Sequence, residues 1–149
     1  MASRPSPAPF GPTPFGWRDS PLLAEALVTL ALASAAIRLL PFRRVAALAG
    51  SGRLGSGRVR GDPGDIDAVR RAVLAWARRV PWRVVCFQQG LALHLMARRR
   101  GIATVLHYGV VQESGGLAAH VWVSVDDAVV IGGEEAPRFT CLARFPAAA

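Results

Sequence analysis

Two residues of this chain could form the reactive pair of a cysteine enzyme. Cys86 lies in PWRVVCFQQGLALHLM (81–96), directly before an apolar run that is compatible with a helix. His120 lies in LAAHVWVSV (117–125), where valines alternate with other residues as they do along a β-strand. A thiolate beside an imidazole is the nucleophile and general base of acyl transfer, so these residue types favour cysteine chemistry.

The predicted position of Cys86, in the first turn of a helix, has a chemical consequence. The free N–H groups and the dipole of a helix N-terminus stabilise a thiolate and can hold the oxyanion of a tetrahedral intermediate. The competing interpretation is an inert core thiol, because free cysteines are among the most buried residue types. The residue types alone leave both interpretations open.

The hairpin predicted after His120 supplies candidates for a third group that orients the imidazole. The valines that alternate with His120 are expected to face the core, so the histidine faces the site. If Asp126–Asp127 forms a two-residue turn, residue 125 pairs with residue 128, and His120 then faces Gly133, with Gly132 and Glu134 next to it. We therefore expect the Glu134 carboxylate to orient His120, whereas Asp126 or Glu135 would need a different register.

The other cysteine and histidines are predicted to have different roles. Cys141, in FTCLARF, has neither a helix start nor a base near it in the sequence, and we expect it to be structural. His94 follows Cys86 by eight residues on the same predicted helix, so we expect it to pack or to be partly exposed. His107 lies within a predicted strand and is the alternative general base.

Composition limits the classes of protein to which the chain can belong. Its 149 residues are 52% hydrophobic and 19% charged, which suits one globular domain with a real core. Two cysteines cannot supply a four-ligand metal site, and we expect neither a metal nor a cofactor. We also expect a reduced, cytoplasmic protein, because no secretory signal is apparent in the proline-rich N-terminal segment.

The formal net charge of +8 comes from 18 basic residues, all of which are arginine. A basic surface could meet nucleic acid, anionic lipid or an acidic peptide. The basic clusters are short, however, and no aromatic residues are interleaved with them at stacking distance. Nucleic acid binding is therefore the less specific alternative, and we expect no nucleic acid partner.

Predicted helices come first and strands afterwards, which indicates an α+β fold with N-terminal helices packed on a small antiparallel sheet. Residues 1–16 are proline-rich and expected to be disordered, whereas 17–149 form one domain. That domain has an apolar helical part at 17–50 and a catalytic core at 65–145. The predicted elements are helices near 20–41, 42–49, 65–80 and 86–99 and strands at 103–111, 118–125 and 128–133.

The apolar segment 22–40 needs a separate decision, because it could be a core helix or a membrane span. Its uncharged stretch, 26–37, has only twelve residues. A span needs about twenty apolar residues, so we expect a helix buried against the domain or a partner. Membrane contact without a span stays open.

Two longer segments carry a family resemblance, namely PWRVVCFQQGLALHLMARRRGIATVLHYGVV and AAHVWVSVDDAVVIGG. They resemble the transglutaminase-like cysteine peptidases of lasso peptide biosynthesis, the B2 proteins. The shared features are a cysteine opening a helix, an arginine-rich helix end before Gly-Ile, a Gly-Val strand, and Ala-His-x-Trp-Val before a hairpin. The apolar helix ending in LLPFRR is also similar, so the resemblance covers about residues 20–145.

This resemblance implies a transglutaminase-like or papain-like fold and an enzyme that removes the leader from a ribosomally made lasso peptide precursor. A transglutaminase would use the same residues with an amine in place of water. Carried over, Cys86 is the nucleophile and His120 the base. The family's third member is an Asp on the strand after the histidine, where this chain reads AVVIGGEE. Glu134, Asp126 or a backbone carbonyl is then left to orient His120.

The resemblance also implies partners. An ATP-dependent, asparagine-synthetase-like cyclase closes the freed N-terminus of the core peptide onto an acidic side chain. Fused members carry an added winged-helix domain for leader recognition, for which residues 1–64 leave no room, so a separate small leader-binding protein is expected. The apolar N-terminal helix is an expected docking surface for that protein or the cyclase. The alternative function is a non-catalytic adaptor of the same fold that binds a precursor or bridges biosynthetic partners.

Overall fold

Helices precede a four-stranded antiparallel sheet in the computed structural model, which describes residues 16–51 and 63–146. The predicted disordered leader, apart from Gly16, lies outside the described residues. The sequence also predicts a Gly-rich connection over 51–64, of which 52–62 lie outside the described residues, whereas Pro63 and Gly64 belong to α3. The α+β fold class is confirmed. The elements are helices α1 (Ser20–Leu39), α2 (Phe42–Gly50), α3 (Pro63–Ala77) and α4 (Cys86–Arg99) and strands β1 (Val105–Glu113), β2 (Gly116–Val125), β3 (Ala128–Ile131) and β4 (Thr140–Phe145).

The helix boundaries follow the sequence signals with small displacements. The Ser-Pro pair at 20–21 predicts Ser20 as the N-cap of α1, but Asp19 is the N-cap and Ser20 is the first helical residue. Helix α3 begins at Pro63, which is a favoured first residue because its ring fixes a helical φ. The sequence also predicts Asp65 as the cap of this helix, which is wrong, because Asp65 lies in its first turn. The bounds of α4 are confirmed, and Gly101 follows with a φ of 71°.

The strand order is β3-β2-β1-β4, with neighbouring strands antiparallel. Asp126 and Asp127 form the predicted two-residue turn, with φ angles of 47° and 67°, and Val125 pairs with Ala128. A bulge at Val130 of β3 then shifts the register against β2 by one residue, so that Val123 pairs with Ile131. The register predicted for the turn therefore does not extend to the level of His120.

Strand β4 was not predicted, and it changes the architecture around the site. It pairs with β1, whereas β3 lies at the opposite edge of the sheet. The segment that joins β3 to β4 must therefore pass from one edge to the other. Phe139, at the end of this segment, lies against Gly109, where an added Cβ would be 2.8 Å from the Trp122 ring and 3.1 Å from the Phe139 Cβ. Gly109 thus leaves the space that Trp122 and Phe139 occupy.

Helix α4 packs directly on β2 and forms the centre of the core. Its Leu91, Leu93 and Met96 are fully buried. A Cβ added at Gly90 would lie 2.7 Å from Cγ1 of Val121, so only glycine allows this close an approach of helix to strand. The predicted burial of the β2 valines is confirmed, because Val121 and Val123 belong to the core.

Helix α1 is the one described helix that is long and apolar enough to cross a membrane. One side of it is nevertheless part of the core, since Ala26, Leu30 and Ala33 are buried and α1 packs on α3 and α4. An ion pair of Glu25 with Arg99 and Arg100 joins α1 to the end of α4. Helix α1 is therefore an integral element of the domain.

Candidate active site

The N-terminus of α4 presents Cys86 as its first residue, and the Cys86 thiol is free and half-buried. The N–H of Val85 donates to Oε1 of Gln88 at 2.7 Å, which fixes the chain just before the helix. Among the described residues, the backbone N–H groups of Cys86 and Phe87 have no hydrogen-bond acceptor, as expected in a first helical turn. These groups are available to stabilise a thiolate or to receive an oxyanion.

The imidazole of His120 is oriented by the main chain. Its Nε2 lies 2.8 Å from the carbonyl oxygen of Gly132. A carbonyl oxygen only accepts hydrogen bonds, so Nε2 must carry the proton and donate it. In the neutral ring, the basic lone pair is then on Nδ1. The Gly132 carbonyl thus fixes the tautomer of the ring as the carboxylate of a Ser-His-Asp triad does, but it leaves Nδ1 and not Nε2 as the basic nitrogen.

The prediction that the Glu134 carboxylate orients His120 is wrong. Glu134 is exposed and makes no hydrogen bond to the ring. Strand β3 ends at Ile131 and the chain turns at Gly132, whose φ is 77°, so the Gly132 carbonyl takes that place instead. The two other acidic candidates do not contact His120 either. Asp126 is at the exposed hairpin tip, and Glu135 forms an ion pair with Arg138.

Two aromatic rings hold the His120 imidazole in place. The Trp122 ring is nearly parallel to it, with centroids 6.1 Å apart and an interplanar angle of 22°. The Phe139 ring is tilted against it at 5.0 Å. Phe139 was not recognised from the sequence as part of the site, because it reaches His120 only through the unpredicted pairing of β4. The ring is therefore fixed by packing as well as by one hydrogen bond.

The structure brings α4 and β2 together but does not join Cys86 to His120 by a hydrogen bond. In the part of the chain that is described, His120 bonds only through Nε2, to Gly132. Nδ1, the nitrogen with the lone pair, is left for another partner. The assignment of these two residues as nucleophile and base therefore remains a prediction.

A second cysteine and histidine lie close together on β4 and β1. Cys141 Sγ is 3.9 Å from Nδ1 of His107, and His107 Nε2 is 2.8 Å from Oγ of Ser124. The expectation that Cys141 has no base near it is therefore wrong, because pairing of β4 with β1 places Cys141 opposite Gly109. Burial and the charge of Arg144 lower the pKa of His107. This cluster lacks a helix N-terminus to stabilise a thiolate.

His94 is a structural residue. It is fully buried, where packing or partial exposure was expected, and both of its nitrogens have partners. Nε2 lies 2.9 Å from the Ala49 carbonyl oxygen, and Nδ1 lies 2.7 Å from Oγ1 of Thr104. Burial, reinforced by the charge of Arg98, lowers the pKa of His94 from 6.5 to about 4. His94 is therefore neutral at physiological pH and ties α4 to its neighbours.

A groove of about 670 Å³ lies between α3, α4 and the free edge of β3. Arg70 and Arg78 of α3 line one wall, and Gln89 of α4 lies one turn beyond the level of Cys86. The other wall is β3 with its following loop, which includes Gly132. The groove therefore reaches both the carbonyl that orients His120 and the first turns of α4.

The described residues contain no group of three His, Cys, Asp or Glu side chains that could hold a metal ion.

Comparison with known families matches this chain to the transglutaminase-like superfamily over residues 26–144. Neither curated proteins nor solved structures gave a match. The matched range begins inside α1 and ends within β4, so it contains Cys86 and His120 and covers well over half of the 149 residues. On this evidence the chain belongs to the transglutaminase-like superfamily.

Proposed function

We propose that this protein is a cysteine peptidase that removes the leader from a ribosomally synthesised lasso peptide precursor, with Cys86 as nucleophile and His120 as base. The observation that carries the proposal is Cys86 at the open N-terminus of α4, within a transglutaminase-like domain. The imidazole of His120, with Nδ1 basic, lies on the strand that α4 packs against. The resemblance to lasso peptide peptidases supplies the substrate.

The chemistry follows from these groups. The Cys86 thiol gives its proton to Nδ1 of His120, and the resulting thiolate attacks the carbonyl carbon of the leader–core amide while backbone N–H groups at the start of α4 hold the oxyanion. The C–N bond breaks as protonated His120 donates its Nδ1 proton to the leaving amine, which becomes the new N-terminus of the core peptide. His120 then takes a proton from water, which attacks the thioester carbonyl. The C–S bond breaks, the leader leaves with a new carboxyl terminus, and His120 returns the proton to the Cys86 sulfur.

The Gly132 carbonyl orients the ring as an acidic third member would, but it carries no negative charge. It accepts the Nε2 proton and so keeps the basic lone pair on Nδ1. Being neutral, it stabilises the imidazolium less than a carboxylate does. We therefore expect a competent but slow catalyst, which suits a single cleavage in a dedicated precursor.

The groove beside β3 is the proposed site for the precursor. Strand β3 is an edge strand, so the N–H and C=O groups on its outer side can pair with an extended peptide. Arg78 on the facing wall would bind an acidic side chain of that peptide. The separate leader-binding protein and the asparagine-synthetase-like cyclase are proposed as partners that deliver the precursor and take over the cleaved core.

The decisive experiment uses a precursor peptide encoded beside the gene for this chain, mixed with its leader-binding protein and the purified full chain. Mass spectrometry in H₂¹⁸O should show a single cleavage, with ¹⁸O in the new carboxyl terminus of the leader. The Cys86→Ala variant should give no product, whereas the Cys141→Ala variant should cleave at close to the normal rate.

Different outcomes would reject or change the proposal. Addition of monodansylcadaverine to the leader in place of water would identify an amine transferase that uses the same residues. Tight precursor binding with no cleavage, unchanged in Cys86→Ala, would identify the adaptor instead. That alternative is favoured by one observation, which is that no hydrogen bond joins Cys86 to His120 among the described residues.

A further inference from the structure

The outward side of α1 has the wrong polarity for a helix that faces water. Among its exposed positions only Ser20 and Arg38 are polar. The polar Thr29 and Ser34, in contrast, are buried. Surface helices of soluble domains normally carry charges on the side that is turned away from the core. We define the outer face of α1 as its apolar exposed residues, Pro21, Ala24, Val28, Ala31, Leu32, Ala35 and Leu39.

The outer face is strongly exposed and continuous. Val28 is 57% exposed, Leu32 62% and Leu39 80%. Their spacing of four and seven residues places them in one row along the helix. A contiguous apolar surface of this kind marks a binding site, whereas single exposed apolar residues do not. Something apolar is therefore expected to cover the outer face.

The charge around this face is positive and has no acidic counterpart. Between residues 26 and 51 the chain contains three arginines, Arg38, Arg43 and Arg44, and no acidic residue. All three are exposed and make no ion pair within the described part of the chain. Glu25, the acidic residue of α1, is occupied by Arg99 and Arg100 at the other side of the helix.

An apolar cavity lies beside the outer face, next to Arg38. Its volume is about 380 Å³, and it is lined mainly by α1 together with Trp82. The Trp82 indole N–H donates to Oγ of Ser34 at 3.1 Å, so the ring is held beside Leu39 and Arg38. Tryptophan next to arginine at the border of an apolar surface is typical of the membrane–water interface.

We propose that the outer face of α1, with Trp82 and the arginines at the α1–α2 corner, docks on an anionic lipid surface. Charge complementarity favours lipid: the apolar row would enter the headgroup region while Arg38, Arg43 and Arg44 contact phosphates. The helix lies on the bilayer and does not span it, because its inner side forms the domain core with α3 and α4. This proposal does not depend on the proposed peptidase activity.

The test is co-sedimentation of the full chain with vesicles of equimolar phosphatidylglycerol and phosphatidylcholine, beside vesicles of phosphatidylcholine alone. Binding should need the anionic lipid and should weaken as salt is added. Leu32→Glu should abolish binding, whereas Leu142→Glu should not change it. Leu142 is a matched control because it is 63% exposed but lies on β4, away from the outer face. Each of Arg38→Gln and Arg43→Gln should weaken binding about fivefold, which is the factor that about 1 kcal/mol per basic residue gives.

Circular dichroism of each variant would show that the fold is intact, so a loss of binding can be assigned to the surface. Failure of the unaltered chain to bind anionic vesicles would overturn the proposal, as would equal loss in Leu32→Glu and Leu142→Glu. A dimer in solution that Leu32→Glu dissociates, without vesicle binding, would instead assign the outer face to a second copy of the chain.

Discussion

The two ends of α4 differ in whether their polar groups have hydrogen-bond partners. At its N-terminal end Cys86 is half-buried and free, and the first backbone N–H groups have no acceptor among the described residues. Toward its C-terminal end both nitrogens of His94 have partners, and Arg100 binds Glu25 across to α1. The polar groups at the N-terminal end are therefore available for a ligand, whereas those near the C-terminal end are already hydrogen-bonded.

This difference separates chemistry from stability along one element. A buried polar group that is fully hydrogen-bonded contributes to a unique, rigid packing and has no capacity left for a ligand. The pKa of Glu25 is lowered, chiefly by its hydrogen bond to Arg100, so this pairing also favours the charged carboxylate. Substitutions at the N-terminal end of α4 should therefore affect turnover, and those at the C-terminal end should affect the free energy of unfolding.

The largest effect is expected from the thiol. Cys86→Ala should lower precursor cleavage by at least about a thousandfold, because the covalent step is lost, while the thermal midpoint stays nearly unchanged. Cys141→Ala should retain most of the activity, because Cys141 lies on a strand and not at a helix N-terminus. Cleavage rates and melting curves of both variants check this. Equal loss of activity in two folded variants would remove the distinction between the thiols.

The second largest effect is expected from loss of the general base. His120→Ala should lower turnover by about a hundredfold or more, the usual contribution of a general base. His107→Ala serves as the control, because its ring is hydrogen-bonded to Ser124 and lies beside Cys141, the thiol that is not the proposed nucleophile. The measurement is kcat for the two variants with the same precursor. An inactive, folded His107→Ala beside an active His120→Ala would transfer the role of base to His107.

The buried, fully hydrogen-bonded His94 of α4 should make the stability of the protein depend on pH. His94 has a pKa near 4 in the folded protein against 6.5 for a free histidine, so between these values the unfolded chain binds more protons. The contribution of His94 to the free energy of unfolding is therefore constant above pH 6.5. As pH falls from 6.5 toward 4, that free energy decreases by about 3 kcal/mol in all. Urea unfolding of the unaltered chain and of His94→Gln should show that slope only with histidine present. NMR titration of His94 gives the pKa directly, and a value near 6.5 would contradict the prediction.

The smallest effect concerns the third member of the site. Gly133→Asp should place a carboxylate next to the carbonyl that orients His120, with a slight shift of Val129, whose Cγ1 lies 3.1 Å from a Cβ built there. We expect turnover to rise by up to about tenfold, which corresponds to about 1.4 kcal/mol of added imidazolium stabilisation. Glu134→Gln should leave turnover unchanged. A strong loss in Glu134→Gln would restore the acidic third member that the hairpin pattern suggested.

Some features of α4 and of the strand beneath it could be predicted from the sequence. The bounds of α4, with Cys86 at its start, were predicted because a change from extended to helical apolar spacing occurs there. The position of the valines of β2 in the core was predicted for the same reason, since their alternation matches the strand period. Both features follow from the pattern of apolar and polar side chains, which can be read directly from the sequence.

The features that were missed, or that were left open among several candidates, depend on the main chain. Strand β4 is an edge strand that alternates between exposed and half-buried residues, so its apolar pattern is weak. The bulge at Val130 of β3 shifts the register by one residue without a glycine or proline at that position to mark it. The Gly132 carbonyl has no residue-type signature at all, because every residue carries one. The orientation of His120 could therefore be seen only in three dimensions.

That carbonyl makes the orientation of His120 unusually resistant to genetic change. A carboxylate in the same role is deleted by one codon substitution, whereas a peptide oxygen is present whatever residue is encoded. What remains vulnerable is shape: Gly132 has a φ of 77°, and a Cβ there would lie 2.7 Å from the main-chain oxygen of Val121. Glycine is thus required at position 132 for geometry and not for chemistry. Searches that identify catalytic triads by residue type will overlook any site whose third member is a peptide bond.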